Sequence, residues 1–217
     1  MTKRLIIVRH AERPSIPKGD VGNDVLLSAS GLRASFAFGQ SLEQDVIDIK
    51  TSSVPRCVQT ATEIAKAVGY NTSSIDTCSD LGAPGYFISD GGKAWHHWQE
   101  KGHQRVNEFL LDGNEHWDGF RDLNEAAQQL KNKIEQVFLD SDNGTHLWIT
   151  HDTILAAFSA RVLEKALSLD QWPEFLGYLS IELSLSGELL FQYHQFSPVT
   201  EDFPKDRVII LKTKTAN

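Results

Sequence analysis

Short apolar runs alternate with stretches of helical period along most of this chain, and the polar residues at the ends of those runs constrain the fold most. Residues 4–8 form a β-branched run that reads as a buried strand and stops at Arg9-His10. A Pro/Gly-rich stretch follows over 14–23, and then helical periodicity over 26–44, with Ser28 or Ser30 as the cap. Residues 46–49 alternate like a strand. Thr51-Ser52-Ser53 forms a loop, and Pro55 suits the first turn of a helix that reaches about Val68. Residues 74–78 read as a third short strand. Leu123, Ala127, Leu130, Ile134 and Val137 share one helical face. A strand at 145–150 closes on His151-Asp152, and a helix over 153–166 follows. Residues 178–185 and 188–193 flank Ser186-Gly187 as a hairpin, and 208–212 supply a last strand. Strand–helix alternation followed by a hairpin predicts a three-layer α/β sandwich with a mostly parallel sheet.

Between residues 79 and 117 the pattern breaks. Gly82, Pro84, Gly85, Gly91 and Gly92 interrupt it, while Trp95, Trp98 and Trp117 gather with His96, His97, His103 and His116. This stretch is expected to be an insertion of loops and short helices, a cap over the sheet that shapes substrate access. The histidine spacing is too irregular for a zinc site, so no metal is expected. All 217 residues fit one domain, with this stretch as its inserted lobe.

Ligands of open parallel sheets bind beyond the carboxyl ends of the strands. Here those ends carry Arg9-His10 with Arg13 beyond, then Ser52-Ser53 leading to Arg56, then His151-Asp152. Parallel strands would bring three arginines and two histidines to one pocket. Guanidinium forks match phosphate oxygens and stay charged, and helix N-termini add backbone donors. A neutral imidazole can carry a phosphoryl group covalently, and a carboxylic acid can protonate the departing alkoxide.

Composition excludes other classes. The net charge of −8 and the pI near 5.4 argue against a nucleic-acid binder. No run approaches the roughly 18 apolar residues of a membrane span. The four apolar residues after Arg4 are too few for a secretory signal. Two cysteines, Cys57 and Cys78, make no disulfide framework, so a cytoplasmic location is expected. Cys57, beside Arg56, reads as a buried structural thiol. Glu12 is open to two readings, a substrate-orienting group or an ion-paired one.

Taken together, the motifs resemble the histidine phosphatase superfamily. Val8-Arg9-His10-Ala11-Glu12-Arg13 resembles its Arg-His-Gly signature, with Ala11 in place of glycine. Leu27-Ser28-Ala29-Ser30-Gly31 is similar to its Leu-Thr-x-x-Gly helix opening. Residues 52–61, Ser-Ser-Val-Pro-Arg-Cys-Val-Gln-Thr-Ala, resemble its Ser-Ser-x-x-x-Arg-x-x-Gln-Thr-Ala segment, and residues 149–152 its second-histidine strand. The resemblance implies that His10 is the nucleophile of a phosphohistidine intermediate, with Arg9, Arg56 and His151 on the phosphoryl oxygens. Arg13 and Asp152 match the acid-phosphatase branch, in which the aspartate is the proton donor. The mutase-like branch places a glutamate after the Arg56 segment; this chain has none there, and Asp80 is the second candidate acid. The implied activity is hydrolysis of a small-molecule phosphomonoester or a phosphoprotein without metal or other cofactor. The alternatives are a phosphomutase of the same fold and a non-catalytic phospho-ligand-binding module.

Overall fold

The computed structural model describes residues 3–43 and 45–196; the strand expected over 208–212 lies outside the described residues. The first apolar run is strand β1, Lys3–Arg9, and its burial explains the layering. Leu5 and Ile7 belong to one hydrophobic cluster, Ile6 and Val8 to another, and all four are almost wholly inaccessible. Successive side chains of a strand point to opposite faces, so an unbroken apolar run is satisfied only when both faces are covered.

Six strands form one sheet among the described residues: β1, β2 (Val46–Thr51), β3 (Asp76–Thr77), β4 (Gly144–Thr150), β5 (Tyr178–Leu183) and β6 (Leu189–His194). The order is β3-β2-β4-β1-β5-β6. The first four are mutually parallel, and the β5–β6 hairpin joins antiparallel to β1. Helices α1 (Ala29–Gln40) and α2 (Pro55–Val68) cover one face through Phe38, Cys57, Ala61 and Ile64. On the other face lie α3 (Gly91–Asp112), α4 (Leu123–Asp140) and α5 (Asp152–Val162), whose Phe109, Leu130, Ile134, Leu155 and Phe158 build the larger core. The fold is the three-layer α/β sandwich that the alternation predicts.

Differences from the expected elements have local causes. Helix α1 starts at Ala29 because Ser28 keeps an extended backbone and its hydroxyl accepts from the Gly31 N–H, an N-cap. Helix α5 stops at Val162, since Leu163 turns extended. Residues 91–112, in the stretch expected as loops and short helices, form α3 as two helical pieces that meet at Gly102, whose backbone is not helical (φ 76°, ψ 167°). Its buried residues Ala94, Val106, Phe109 and Leu110 hold it against the body, and Phe109 stacks on Trp117 at 4.1 Å. No helix among the described residues is long and apolar enough to cross a membrane.

Register places the chemistry. Arg9 pairs with Thr150 and Thr51 with Ile149, so β1, β2 and β4 end flush. Beyond those ends the ladder continues: His10 N–H donates to Thr150 O (2.9 Å) and Ser52 N–H to Ile149 O (3.0 Å). Every residue following these three adjacent strands therefore enters the same space.

Candidate active site

Two imidazoles and three guanidiniums meet at that edge. The His10 and His151 rings lie 5.4 Å apart, edge to face. Arg56, only 7% exposed, spans them: its Nε donates to His10 Nε2 (3.0 Å), its Nη2 lies 3.3 Å from His151 Nδ1, and its Nη1 donates to Gly22 O (2.6 Å).

These contacts fix the tautomers. A guanidinium can only donate, so His10 Nε2 must present a lone pair. Its proton sits on Nδ1, which donates to Ala11 O at 2.8 Å. By the same reasoning His151 Nδ1 is an acceptor and Nε2–H donates to Ser52 Oγ at 3.0 Å. Burial, reinforced by His151 and Arg9, holds the His10 pKa well below the usual imidazole range. Burial and Arg56 bring His151 down to about 3, against the opposing pull of Asp152. Both rings are neutral at physiological pH, the form in which an imidazole is nucleophilic.

The other two arginines retain unused donors. Arg9 gives Nη1 to Pro173 O (2.5 Å) and Nη2 to Asp152 Oδ2 (3.1 Å), while its buried Nε finds no partner among the described residues. Arg13 gives Nη1 to Pro14 O (2.9 Å), and its Nε is likewise buried and unpartnered. Burial lowers the Arg13 and Arg56 pKa values, Arg56 and Arg9 push Arg13 further and Arg9 pushes Arg56, yet a guanidinium stays charged at any working pH. A buried N–H without a partner carries a cost that a bound acceptor would remove.

Asp152 opens α5 and closes the constellation. Its Oδ2 accepts from Arg9 and from Trp172 Nε1 (3.3 Å), and its Oδ1 from the Thr153 N–H (3.0 Å). Burial favours the protonated acid, but Arg9, His10 and the Trp172 bond outweigh it, and the carboxyl lies near 2. At 28% exposure its side chain still meets solvent. The resting group is thus an accessible carboxylate. Asp80, the other candidate acid, pairs with Lys133 Nζ on α4 at 2.6 Å, and no hydrogen bond or ion pair joins it to His10, His151 or the three arginines among the described residues.

Several readings of single residues resolve here. Ala11 lies outside the left-handed backbone region and is wholly buried, its N–H donating to Thr60 Oγ1 (3.1 Å), so alanine fits without strain. Glu12 is tied to Ser28 and Ser30 at the start of α1, which lowers its pKa. The Cys57 thiol, 3.6 Å from His151 Nε2, is inaccessible, and burial pushes it up to about 12 against Arg56. His96 pairs with Glu100, whereas His97 packs on Trp117 and bonds Asp118 O. Among the described residues no group of His, Cys, Asp or Glu is placed to hold a metal ion.

Four contributors escaped the sequence reading: Ser52 as partner of His151, Gly22 as acceptor for Arg56, and Trp172 and Phe175 beside Asp152 and Arg9. Ser52 stood within a quoted motif without a role. The others sit in loops whose approach depends on packing far from their own sequence.

The fold and the site together define an α/β protein in which arginines converge on His10 and His151 at the carboxyl edge of the sheet. Residues 5–183 match the family model described as histidine phosphatase superfamily (branch 1), and the chain belongs to that superfamily. Solved structures agree in fold. A phosphoserine phosphatase from Entamoeba histolytica in complex with 3-phosphoglyceric acid is 14% identical with a TM-score of 0.62, covering 89% of this chain and 98% of that one. A mycobacterial glucosyl-3-phosphoglycerate phosphatase in complex with inorganic phosphate is 15% identical (TM-score 0.58; 93% and 99% covered). A putative α-ribazole-5′-P phosphatase from Escherichia coli is 13% identical (TM-score 0.57; 90% and 96% covered). No curated protein matches the sequence.

Proposed function

We propose that the protein is a phosphomonoesterase that transfers the phosphoryl group to His10 and then to water. The observation carrying this reading is the His10 Nε2 lone pair, which accepts from Arg56 and lies within the field of Arg9, with Arg13 close to His151; the Nε–H groups of Arg9 and Arg13 lack partners among the described residues. The phosphoryl oxygens take up those donors, and the Arg56 Nε–H passes from Nε2 to an oxygen, freeing the nucleophile. Three fixed cations neutralise charge during in-line transfer without reorganising, and no metal is required. The incoming dianion offsets the field of Arg9 and Arg13, so the Asp152 pKa rises and the carboxyl takes up a proton. The same charge draws a proton onto His151 Nδ1, which then donates to the phosphoryl group.

In the first step the His10 Nε2–P bond forms, the ester P–O bond breaks and Asp152 protonates the leaving oxygen. In the second, the Asp152 carboxylate accepts a proton from water as its oxygen attacks phosphorus, and the P–N bond breaks. Asp152 is preferred to Asp80 as the acid because its carboxylate meets Arg9 directly, whereas Asp80 is held by Lys133.

The substrates are small phosphomonoesters or phosphoproteins. Residues 79–117 act as a cap, consistent with the loop at Gly82 packing on His151 and Ser52. The two free thiols accord with a cytoplasmic location. The test is a panel of phosphomonoesters assayed with a chelator present. Inorganic phosphate released by the wild type and not by His10→Ala is the expected result; near-normal release by that variant would falsify the role of His10.

A further inference from the structure

We infer that Trp172 and Phe175, on the segment entering β5, are positioning residues that set Asp152 and Arg9 for leaving-group protonation and phosphoryl binding. The inference rests on the phosphomonoesterase reading and adds to it a second wall of the site. One short segment grips both catalytic partners. Trp172 Nε1 donates to Asp152 Oδ2 at 3.3 Å. Pro173 O accepts from Arg9 Nη1 at 2.5 Å, the Phe175 ring lies 4.2 Å from the Arg9 guanidinium carbon, and Gly177 O accepts the Arg9 N–H at 2.9 Å. The Phe175 ring also sits 5.8 Å from that of His10.

This segment is itself held by the end of β6. Gln195 Nε2 donates to Trp172 O (3.0 Å), Gln195 Oε1 accepts from the Glu174 N–H (3.0 Å), and Tyr193 Oη donates to Gln171 O (3.0 Å). Leu176 has a left-handed backbone (φ 61°), one of two non-glycine residues with positive φ among the described residues. Such a conformation persists only where the surroundings impose it, and it clusters at functional sites. A sheet strand thus fixes the loop, and the loop fixes the acid and the arginine.

The two aromatics have separable effects. The indole N–H is a neutral donor, so it keeps Asp152 Oδ2 in place whether or not Arg9 turns part of its charge to a docked phosphate. Phe175 presents a ring face to the guanidinium, a cation–π contact that orients Arg9 without using its donors. Loss of the indole N–H should impair proton delivery; loss of the Phe175 ring should weaken phosphoryl binding.

Leaving-group basicity tells these apart. An alkoxide needs the Asp152 proton in the transition state, whereas a nitrophenolate departs without it. In Trp172→Phe, kcat/KM, which reports the steps through leaving-group departure and not the later attack of water, should fall ~10-fold or more for alkyl phosphates while staying within about two-fold for p-nitrophenyl phosphate. Trp172→His, which keeps a ring N–H, should recover part of the loss and serves as the second variant if the phenylalanine protein is unstable. In an Asp152→Asn background Trp172→Phe should add almost nothing, because coupled residues are not additive. Phe175→Leu should raise KM and weaken vanadate inhibition about equally for both substrate types. Equal losses on both substrates in Trp172→Phe, or none on either, would overturn the inference with the phosphomonoesterase reading intact. A wild type that releases no phosphate from either ester would overturn the reading itself.

Discussion

The two ends of the sheet invite comparison. At the carboxyl ends of β1, β2 and β4 lies a tight cluster of three arginines and two histidines. At the opposite end, between the last turns of α3 and α5, helix α4 and the β5–β6 hairpin, runs a groove of about 1150 Å³ lined by Leu111, Leu163, Leu167, Leu189 and Phe191. The groove too has an arginine. Arg161 spends Nη1 on Leu110 O and Ala157 O and Nε on Asn124, and its Nη2, shut against Gly113, is buried without a partner among the described residues. That guanidinium staples three helices. Arg56 instead sets its Nε on His10 and its Nη2 beside His151, and Arg9 sets its Nη2 on Asp152. Volume does not locate chemistry here; convergent donors around a neutral imidazole do.

Substitutions at the two ends should therefore separate activity from stability. The largest effect is expected from His10→Ala, with phosphate release falling by at least ~10⁴-fold. Lys131→Ala on the groove rim should stay within about two-fold in the same assay. Comparable losses in both would dissolve the contrast. Next, Arg56→Ala should lower kcat/KM by roughly 10²–10³-fold, since it removes charge-assisted donors from a buried site. Inhibition by vanadate should weaken in parallel.

A pair of glycines sharpens the comparison. A Cβ at Gly82 (φ 148°) would lie 2.4 Å from His151 Nε2, and one at Gly113 (φ 67°) 1.9 Å from Arg161 Nη2. Gly82→Ala should cost about 10-fold or more in turnover by displacing His151. Gly113→Ala should destabilise the fold by about 1–3 kcal/mol in urea while the surviving enzyme turns over normally. The opposite pattern, with Gly113→Ala crippling kcat, would show the ends to be coupled.

The smallest effect concerns pH. His10 and His151 (about 3), together with His194 (about 4), have depressed pKa values. The folded protein then binds fewer protons than the unfolded chain between about pH 6.5 and 3, so stability rises with pH through that window. The contribution is complete above about pH 6.5 and is lost as pH falls through the folded values. Tm should drop by a few degrees from pH 7 to pH 5, and His10→Gln should flatten that slope whereas Lys131→Ala should not. An unchanged slope in His10→Gln would place the acid sensitivity elsewhere.

The legible part of the site came from residues adjacent in sequence to strand ends. Arg9-His10, Arg56 and His151-Asp152 follow strands whose apolar runs announce burial on both faces, and parallel register sends whatever follows to one edge. Trp172 and Phe175 carried no such signal; they reach Asp152 and Arg9 because Tyr193 and Gln195, some twenty residues later, bind their loop. The 91–112 stretch was obscured by its glycines. Only one of them, Gly102, breaks helical geometry inside α3, while the apolar residues on either side supply enough burial to hold both halves helical.

By itself, the sequence determined the layering of the sandwich, the polar residues at its strand ends and the family, because hydrophobic period and strand-end chemistry are local properties. Tertiary structure alone decided which His10 nitrogen carries the lone pair, which groups each arginine meets, and that Asp152 rather than Asp80 lies against Arg9. Those depend on distances of about 3 Å between residues as many as 164 positions apart, such as Arg9 and Pro173. No local pattern encodes a contact of that kind; the packing of the sheet edge creates it.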